Sequence, residues 1–582
     1  MSLLLALLVG PVAMAKMQPA KAEPSKAARL LIEGLEDHPA LRANVQAMVP
    51  ALRFNCDAPR VRFRTYLRQA RERADSALRA LGHFNAVIET QIQEVDDCLI
   101  PKLIIDPGPA VRIDVVDIQI DGPFKDDPGA QRFMESLRLK EGDTLNQSVY
   151  DSTRDSLINR ARARGFLDAH YTRRNLWVDP KANIARIELT LESGQRYRFG
   201  KINAKQNILN DDFLDRLIPA KPGDPYSSDQ LATISHHLVA SGYFADVRVR
   251  PNLDAREDGL VPVDVLLVER PRTGYEFQLG YGTDTGVRAR VDVDRRWVNR
   301  RGHKWQAGLG LSERKQSIDT IYSIPKRLPL TDSLDFYAQI SREDNNDIGT
   351  NAGTLGAQYS RLRRGWTQAI FTEYLYEHSR FGDDPWQGNH FLLGGGKLGL
   401  RKLDDPLFPI RGHSLDLKLQ GAAEPLLSST SLVQLKTRGV VSYPLGKLVL
   451  KARGDLGVTW TDEFDRLPKS LRFFAGGDNS VRGYGYESLG PTNDDGQVIG
   501  GRYLFVISGE AMYPIRSNNW YVAAFVDSGN AFNHQTEIDL KTGAGVGVRW
   551  RSPIGMVRVD IAYPFDTSSP SPRLHVGIGA DF

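Results

Sequence analysis

Tyr275-Glu276-Phe277-Gln278-Leu279-Gly280-Tyr281-Gly282 sets an aromatic residue or leucine at every odd position and a polar residue or glycine at every even one. A period of two belongs to a β-strand with one apolar and one polar face. The next run obeys the same rule, with Val287, Ala289, Val291 and Val293 set against Arg288, Arg290, Asp292 and Asp294, and a third carries Trp305, Ala307, Leu309 and Leu311. Near the other end, after a turn at Ser552-Pro553-Ile554-Gly555, Val557, Val559, Ile561 and Tyr563 alternate with Arg558, Asp560 and Ala562. The last residues place Leu574, Val576, Ile578, Ala580 and Phe582 on one face.

Soluble β-sandwich strands also alternate, so the other face decides. Here it is rich in charge, and no helical layer or linker interrupts the pattern over roughly 300 residues. A closed barrel satisfies every backbone group without an edge and allows lipid outside and water inside. At roughly 19 residues per strand and connection, residues 273–582 predict a membrane β-barrel of about 16 antiparallel strands. The terminal aromatic resembles the recognition signal of bacterial outer-membrane barrels.

Composition agrees. In 582 residues that are 41% hydrophobic, with a mean hydropathy of −0.36, no run approaches the roughly 20 apolar residues of a spanning helix. That excludes a helical membrane protein and leaves a barrel open, because alternation dilutes strand hydropathy. The 75 basic residues nearly cancel the 71 acidic ones and form no long tract, which argues against nucleic acid as a partner. Residues 1–15 read as an export signal: the apolar Leu3 to Val9 precede Ala13-Met14-Ala15, although no basic residue leads them. Export leads to an oxidising compartment, where the two cysteines, Cys56 and Cys98, are candidates for a disulfide, with two buried thiols as the alternative.

Ahead of the barrel the chain repeats. Leu81-Gly82-His83-Phe84, Arg164-Gly165-Phe166-Leu167 and Ser241-Gly242-Tyr243-Phe244 recur roughly 80 residues apart, a small-domain spacing. Each follows a helix-like stretch, such as Tyr150 to Arg164 with Val149, Leu157, Ile158 and Ala161 near one face, and each precedes two strand-like runs. The glycine is expected to end the helix in a left-handed conformation. Each unit therefore reads β-α-α-β-β, giving α/β modules at 27–107, 111–194 and 196–270. The short linkers Asp106-Pro107-Gly108-Pro109 and Glu192-Ser193-Gly194-Gln195 imply a semi-rigid arm. This arrangement resembles the polypeptide-transport-associated (POTRA) repeats of the outer-membrane-protein insertase superfamily.

Phe474-Ala475-Gly476-Gly477-Asp478-Asn479-Ser480 is by composition a flexible connection, but it leads into Val481-Arg482-Gly483-Tyr484. Those four residues match the signature that the same superfamily carries on a long loop folded back into its barrel. The superfamily's Phe-x-Asp-x-Gly strand motif matches Phe525-Val526-Asp527-Ser528-Gly529, and Gly509-Glu510 precedes Tyr513-Pro514 as in its neighbouring strand. Asp527 shares a face with Tyr521 and Phe525, opposite Trp520, Val522, Ala524 and Val526, so it points to the lumen, and Glu510 can do the same. A guanidinium offers a planar fork to carboxylates. We therefore expect Arg482 to pair with Asp527, Glu510 or both and to pin the loop.

If the barrel closes, the last strand, with Val576, Gly577, Ile578, Gly579 and Phe582, meets the first, with Tyr275, Phe277 and Leu279. Gly577 and Gly579 there, and Gly280 and Gly282 opposite, weaken the pairing. The superfamily resemblance implies that this seam opens and templates an incoming strand.

Catalytic signals are weak. Gly394-Gly395-Gly396-Lys397-Leu398-Gly399 sits among strands with no helix after it, and His236-His237 has no metal-spaced partner, so no enzyme activity, metal or cofactor is expected. Three modules differ from the five of the superfamily's essential insertases and the two of its two-partner secretion pores. With that count, the resemblance implies a translocation and assembly factor with an inner-membrane-anchored partner on the periplasmic modules, autotransporter-type outer-membrane clients, and contact with the lipid bilayer. Lipid passage between membranes, or a secretion pore for one dedicated protein, stands as the alternative.

Overall fold

The structure, a computed structural model, describes residues 27–578 except 57, 97, 346–347, 406–407, 516–518, 537, 553–554 and 569. The signal segment, and Gly579, Ala580 and Phe582 of the last run, lie outside the described residues.

In the first module, strand Leu31–Glu33, helices Pro39–Met48 and Arg60–Ala80, and strands Val87–Val95 and Cys98–Asp106 follow in order. Leu67, Ala70, Ala74, Ala77 and Leu78 make a stripe along the longer helix that packs on Leu103 and Ile105, while Phe63 packs with Ala28 and Cys56. The last strand lies between the other two, parallel to the first. Modules two and three repeat this topology, with strands Arg112–Asp121, His170–Asp179 and Ile184–Glu192, and Arg198–Lys205, Phe244–Pro251 and Leu260–Glu269. In the second, Asn146 caps helix Gln147–Ala163 by accepting from the Ser148 and Val149 amides, and Tyr150, Leu157 and Ala161 are buried.

The repeated glycines do more than end helices. Gly82 and Gly165 have φ of +89° and +97°, and their carbonyls accept the backbone N–H of Val111 and Tyr197, the start of the next module, at 2.8 Å in both cases. A Cβ on Gly82 would lie 2.7 Å from the Leu145 carbonyl oxygen, and one on Gly165 equally near that of Tyr226. The repeat motif is thus also the junction.

Cys56 and Cys98 form a disulfide across 42 residues beside Phe63. Cys56→Ser should cost the first module about 4 kcal/mol by loop entropy, read as faster amide exchange across Leu31–Asp106 in the full chain. Unchanged exchange would show that helix packing alone holds the module.

From Thr273–Gly282 to Arg573–Ile578, sixteen strands pair in chain order, antiparallel, and close into a barrel. Outward residues are apolar and bare, including Leu279 (79% exposed), Ile340 (69%), Ile370 (68%) and Val546 (63%). The inward set is polar and covered: Glu377, Gln434, Asp455, Asp527, Arg549 and Asp560 are all buried. Apolar surface facing out and charge facing in is the inverse of a soluble protein and the requirement of a bilayer. The third module docks on this wall, where the Tyr243 hydroxyl donates to the Gly302 carbonyl (2.6 Å) and Lys304 Nζ to that of Ser241 (2.8 Å).

Candidate functional site

The connection 461–502, between strands Leu448–Trp460 and Tyr503–Pro514, turns back into the barrel. Phe464, Leu467 and Leu471 pack on Leu375, Phe391, Leu393 and Leu432 of the inner wall, while Val481 and Tyr484 pack on Val506. The Arg472 guanidinium ties the loop to itself by donating to the carbonyls of Leu467, Asp465 and Ile499, and it lies 4.3 Å from the Phe381 ring centroid.

Arg482 is the deepest anchor. Its Nε and Nη2 grip Asp527 Oδ2 and Oδ1 at 2.6 and 2.9 Å, and its Nη1 donates to Glu510 Oε2 (2.9 Å) and Asp560 Oδ2 (3.2 Å). The guanidinium carbon sits 3.4 Å from the Phe525 ring centroid. Both carboxylates expected from sequence are therefore engaged at once. Sequence reading missed two members of this network. Arg549 bridges Glu510 (2.7 Å) and Asp560, so two cations and three acids share one buried cluster. Both residues lie on lumen faces, which alternation shows, but their meeting depends on register between strands.

Also missed was the seat. Gly543, Gly545 and Gly547 face inward on strand Lys541–Ser552, where a Cβ on Gly543 would lie 1.9 Å from the Arg482 carbonyl oxygen and one on Gly547 would lie 1.8 Å from Asp560 Oδ1. Gly529 likewise has no room, with the Phe505 carbonyl oxygen 2.5 Å from its Cβ position. Gly483, at φ +96°, carries the turn after the arginine, and the Tyr484 hydroxyl donates to the Thr542 carbonyl (3.3 Å) and accepts from the Asp566 amide (3.1 Å).

The loop tip also spans the seam. Asp478 accepts from Thr283 Oγ1 (2.9 Å), in the turn after the first strand, and from His575 Nδ1 (2.5 Å), on the last. Asp478 N donates to Asp284 Oδ2, and Gly483 N to His575 Nε2 at 2.9 Å. These acids and His575 are, among the described residues, the one cluster with metal-like spacing, and they are occupied with one another.

The seam register differs from the sequence expectation. The expectation that Phe277 lies opposite Ile578 is not met: Tyr281 faces Ile578 and Gly282 faces Gly577, while Tyr275, Phe277 and Leu279 pair with the second strand, Gly286–Arg295, and point outward. Alternation gives the face of a residue, whereas the closing register depends on barrel stagger. Among the described residues, which end at Ile578, the seam ladder holds Tyr281 and Gly282. Gly577 faces inward beneath Arg558, whose Nε would be 2.6 Å from a Cβ there, and Val576 N donates to Thr283 Oγ1 (3.2 Å).

Burial, together with the neighbouring Asp478 charge, pushes the Asp284 carboxyl up to about 6. Because the folded value exceeds the unfolded one, its contribution favours the seated tip fully below the ordinary aspartate value of 3.8 and is lost as pH rises through about 6. Asp284→Asn should flatten the change in loop protease resistance across that window. A wild-type profile with no inflection there would contradict it.

A closed barrel with a lipid-facing exterior, a polar lumen plugged by an inserted loop, and α/β modules ahead of it defines a class: a modular membrane β-barrel. Residues 298–582 match the Omp85 superfamily domain, 29–107 the POTRA domain TamA domain 1, and 197–270 the POTRA family described as surface antigen variable number repeat. The chain is an outer-membrane protein of the Omp85 superfamily with N-terminal POTRA domains. Among relatives, the outer membrane protein assembly factor BamA of Neisseria meningitidis serogroup B is 22% identical over 557 residues, covering 83% of this chain and 68% of its own. That of Neorickettsia risticii is 23% identical over 472 residues, covering 74% and 60%. The chain therefore spans between 60% and 68% of the length of these two relatives. The crystal structure of BamA from Haemophilus ducreyi lacking POTRA domains 1-3 shares the fold at a TM-score of 0.67 and 17% identity, covering 80% of this chain and 99% of that one.

Proposed function

We propose that this chain is a translocation and assembly factor similar to TamA: it inserts outer-membrane proteins, autotransporters among them, by opening its barrel seam. It works with a TamB-like partner anchored in the inner membrane and bound to the periplasmic modules. The reading rests above all on the loop that Arg482 holds inside a closed, lipid-facing barrel matching the Omp85 superfamily domain. Gly280, Gly282 and Gly577 at the seam weaken its pairing, and a freed edge offers unpaired N–H and C=O groups to an incoming strand. The match of residues 29–107 to the TamA-type first module supports the finer assignment, and the seated loop argues for insertion over export through the lumen.

Cysteines placed at Tyr281 and Ile578, which face each other, can lock the seam. Under oxidation this pair should abolish assembly of an autotransporter client, and reduction should restore it. Undiminished assembly by the locked barrel would remove the gate from the account. Photo-crosslinking from the first module in cells should capture an inner-membrane-anchored protein.

A further inference from the structure

Away from the arginine cluster, three lysines form a row on the inner wall. Lys397, Lys418 and Lys436 lie on consecutive strands in direct register, Lys397 opposite Lys418 and Lys418 opposite Lys436. Like charges directly opposite each other destabilise a sheet. The surroundings offset this only in part. One carboxylate, Glu373, reaches the row, with Oε1 3.2 Å from Lys418 Nζ, while its Oε2 accepts from the Tyr337 hydroxyl. Lys397 donates to Gln358 Oε1 (2.7 Å) and Lys436 to the Ser470 carbonyl of the inserted loop (3.2 Å). Each ammonium carries three donors. The ring of Phe371 lies 4.8 Å from Lys397 Nζ and 4.7 Å from Lys418 Nζ, and the Phe473 ring 5.5 Å from Lys436 Nζ.

The row borders a lumen cavity of about 660 Å³, lined by five basic side chains against two carboxylates, one of which, Asp455, is already paired with Arg438. Neighbouring strands stand about 4.8 Å apart, so flexible lysine stems on three of them can converge on one tetrahedral oxyanion. We propose that this row binds a phosphate group, from free phosphate or from a phospholipid headgroup, and that the bound anion offsets the repulsion within the row.

The test uses the full chain in neutral detergent, titrated calorimetrically at constant ionic strength with inorganic phosphate and, separately, with monomeric dihexanoyl phosphatidylglycerol. At least one probe should bind, with affinity lowered roughly tenfold or more in Lys418→Gln. Binding of phosphate alone assigns the free anion, and binding of the lipid alone assigns the headgroup. If Lys418→Gln fails to give a heat-modifiable barrel, Lys397→Gln and Lys436→Gln carry the same comparison. Absence of binding by the wild-type chain to either probe, or variants that bind as tightly as it does, would overturn the site.

Discussion

Arg482→Ala will release the inserted loop and abolish assembly activity while the barrel itself stays folded. Asp527 is fully buried, and three of its hydrogen bonds come from the Arg482 backbone N, Nε and Nη2, with Ser508 Oγ supplying a fourth. Glu510 and Asp560 keep Arg549, but Asp527 would lose its only ion-pair partner among the described residues. Removing one side of a buried pair costs roughly 3–5 kcal/mol. The remaining ties of this segment, Asp478 to Thr283 and His575 and Tyr484 to Thr542, leave Asp527 unpaired, so the cost falls on seating the loop. Limited proteolysis should cut within 461–502 in the variant and spare the strands. Arg482→Lys keeps the charge and loses the fork, so it should fall between the two. A resistant loop in Arg482→Ala would show that the apolar packing of Phe464 and Leu471 suffices.

Gly543→Val attacks the same contact from the wall, without removing a charge. Its Cβ would lie 1.9 Å from the Arg482 carbonyl oxygen, a backbone atom that moves only if the loop moves. Overpacking of this kind costs typically 1–3 kcal/mol, and strand backbone accepts valine readily. The barrel is thus expected to form with the loop displaced, and assembly to fall as far as in Arg482→Ala. Gly454, whose Cβ would meet nothing within 4 Å, is the control: Gly454→Ala should change neither loop nor activity. Equal loss in both variants would mean that strand glycines matter for sheet flexibility and not for seating the loop.

The two predictions separate what the sequence reveals from what it hides. Alternation at Tyr275 to Gly282 was enough for the barrel, and the Gly-aromatic repeat for the modules, because both are local periodicities. Arg482, Glu510 and Asp527 were legible because each sits in a short motif with a face that can be read. Arg549 and Asp560 were not, since their partnership is created by strand register across the closed wall. The inward glycines of Lys541–Ser552 look in sequence like weak strand residues, and only the loop against them gives their purpose. The seam failed for a related reason: a one-strand reading places Phe277 on the lipid face but cannot say which residue of the last strand it meets.

The central claim is that Arg482 holds an inserted loop inside a lipid-facing cylinder. Hydrogen exchange on the full chain in bilayer discs tests it most directly. The Arg482 and Gly483 amides, bonded to Asp527 and His575, should exchange as slowly as wall strands in the wild type and fast in Arg482→Ala, with strand amides unchanged. Solvent-rate exchange of those two amides in the wild-type protein would contradict it.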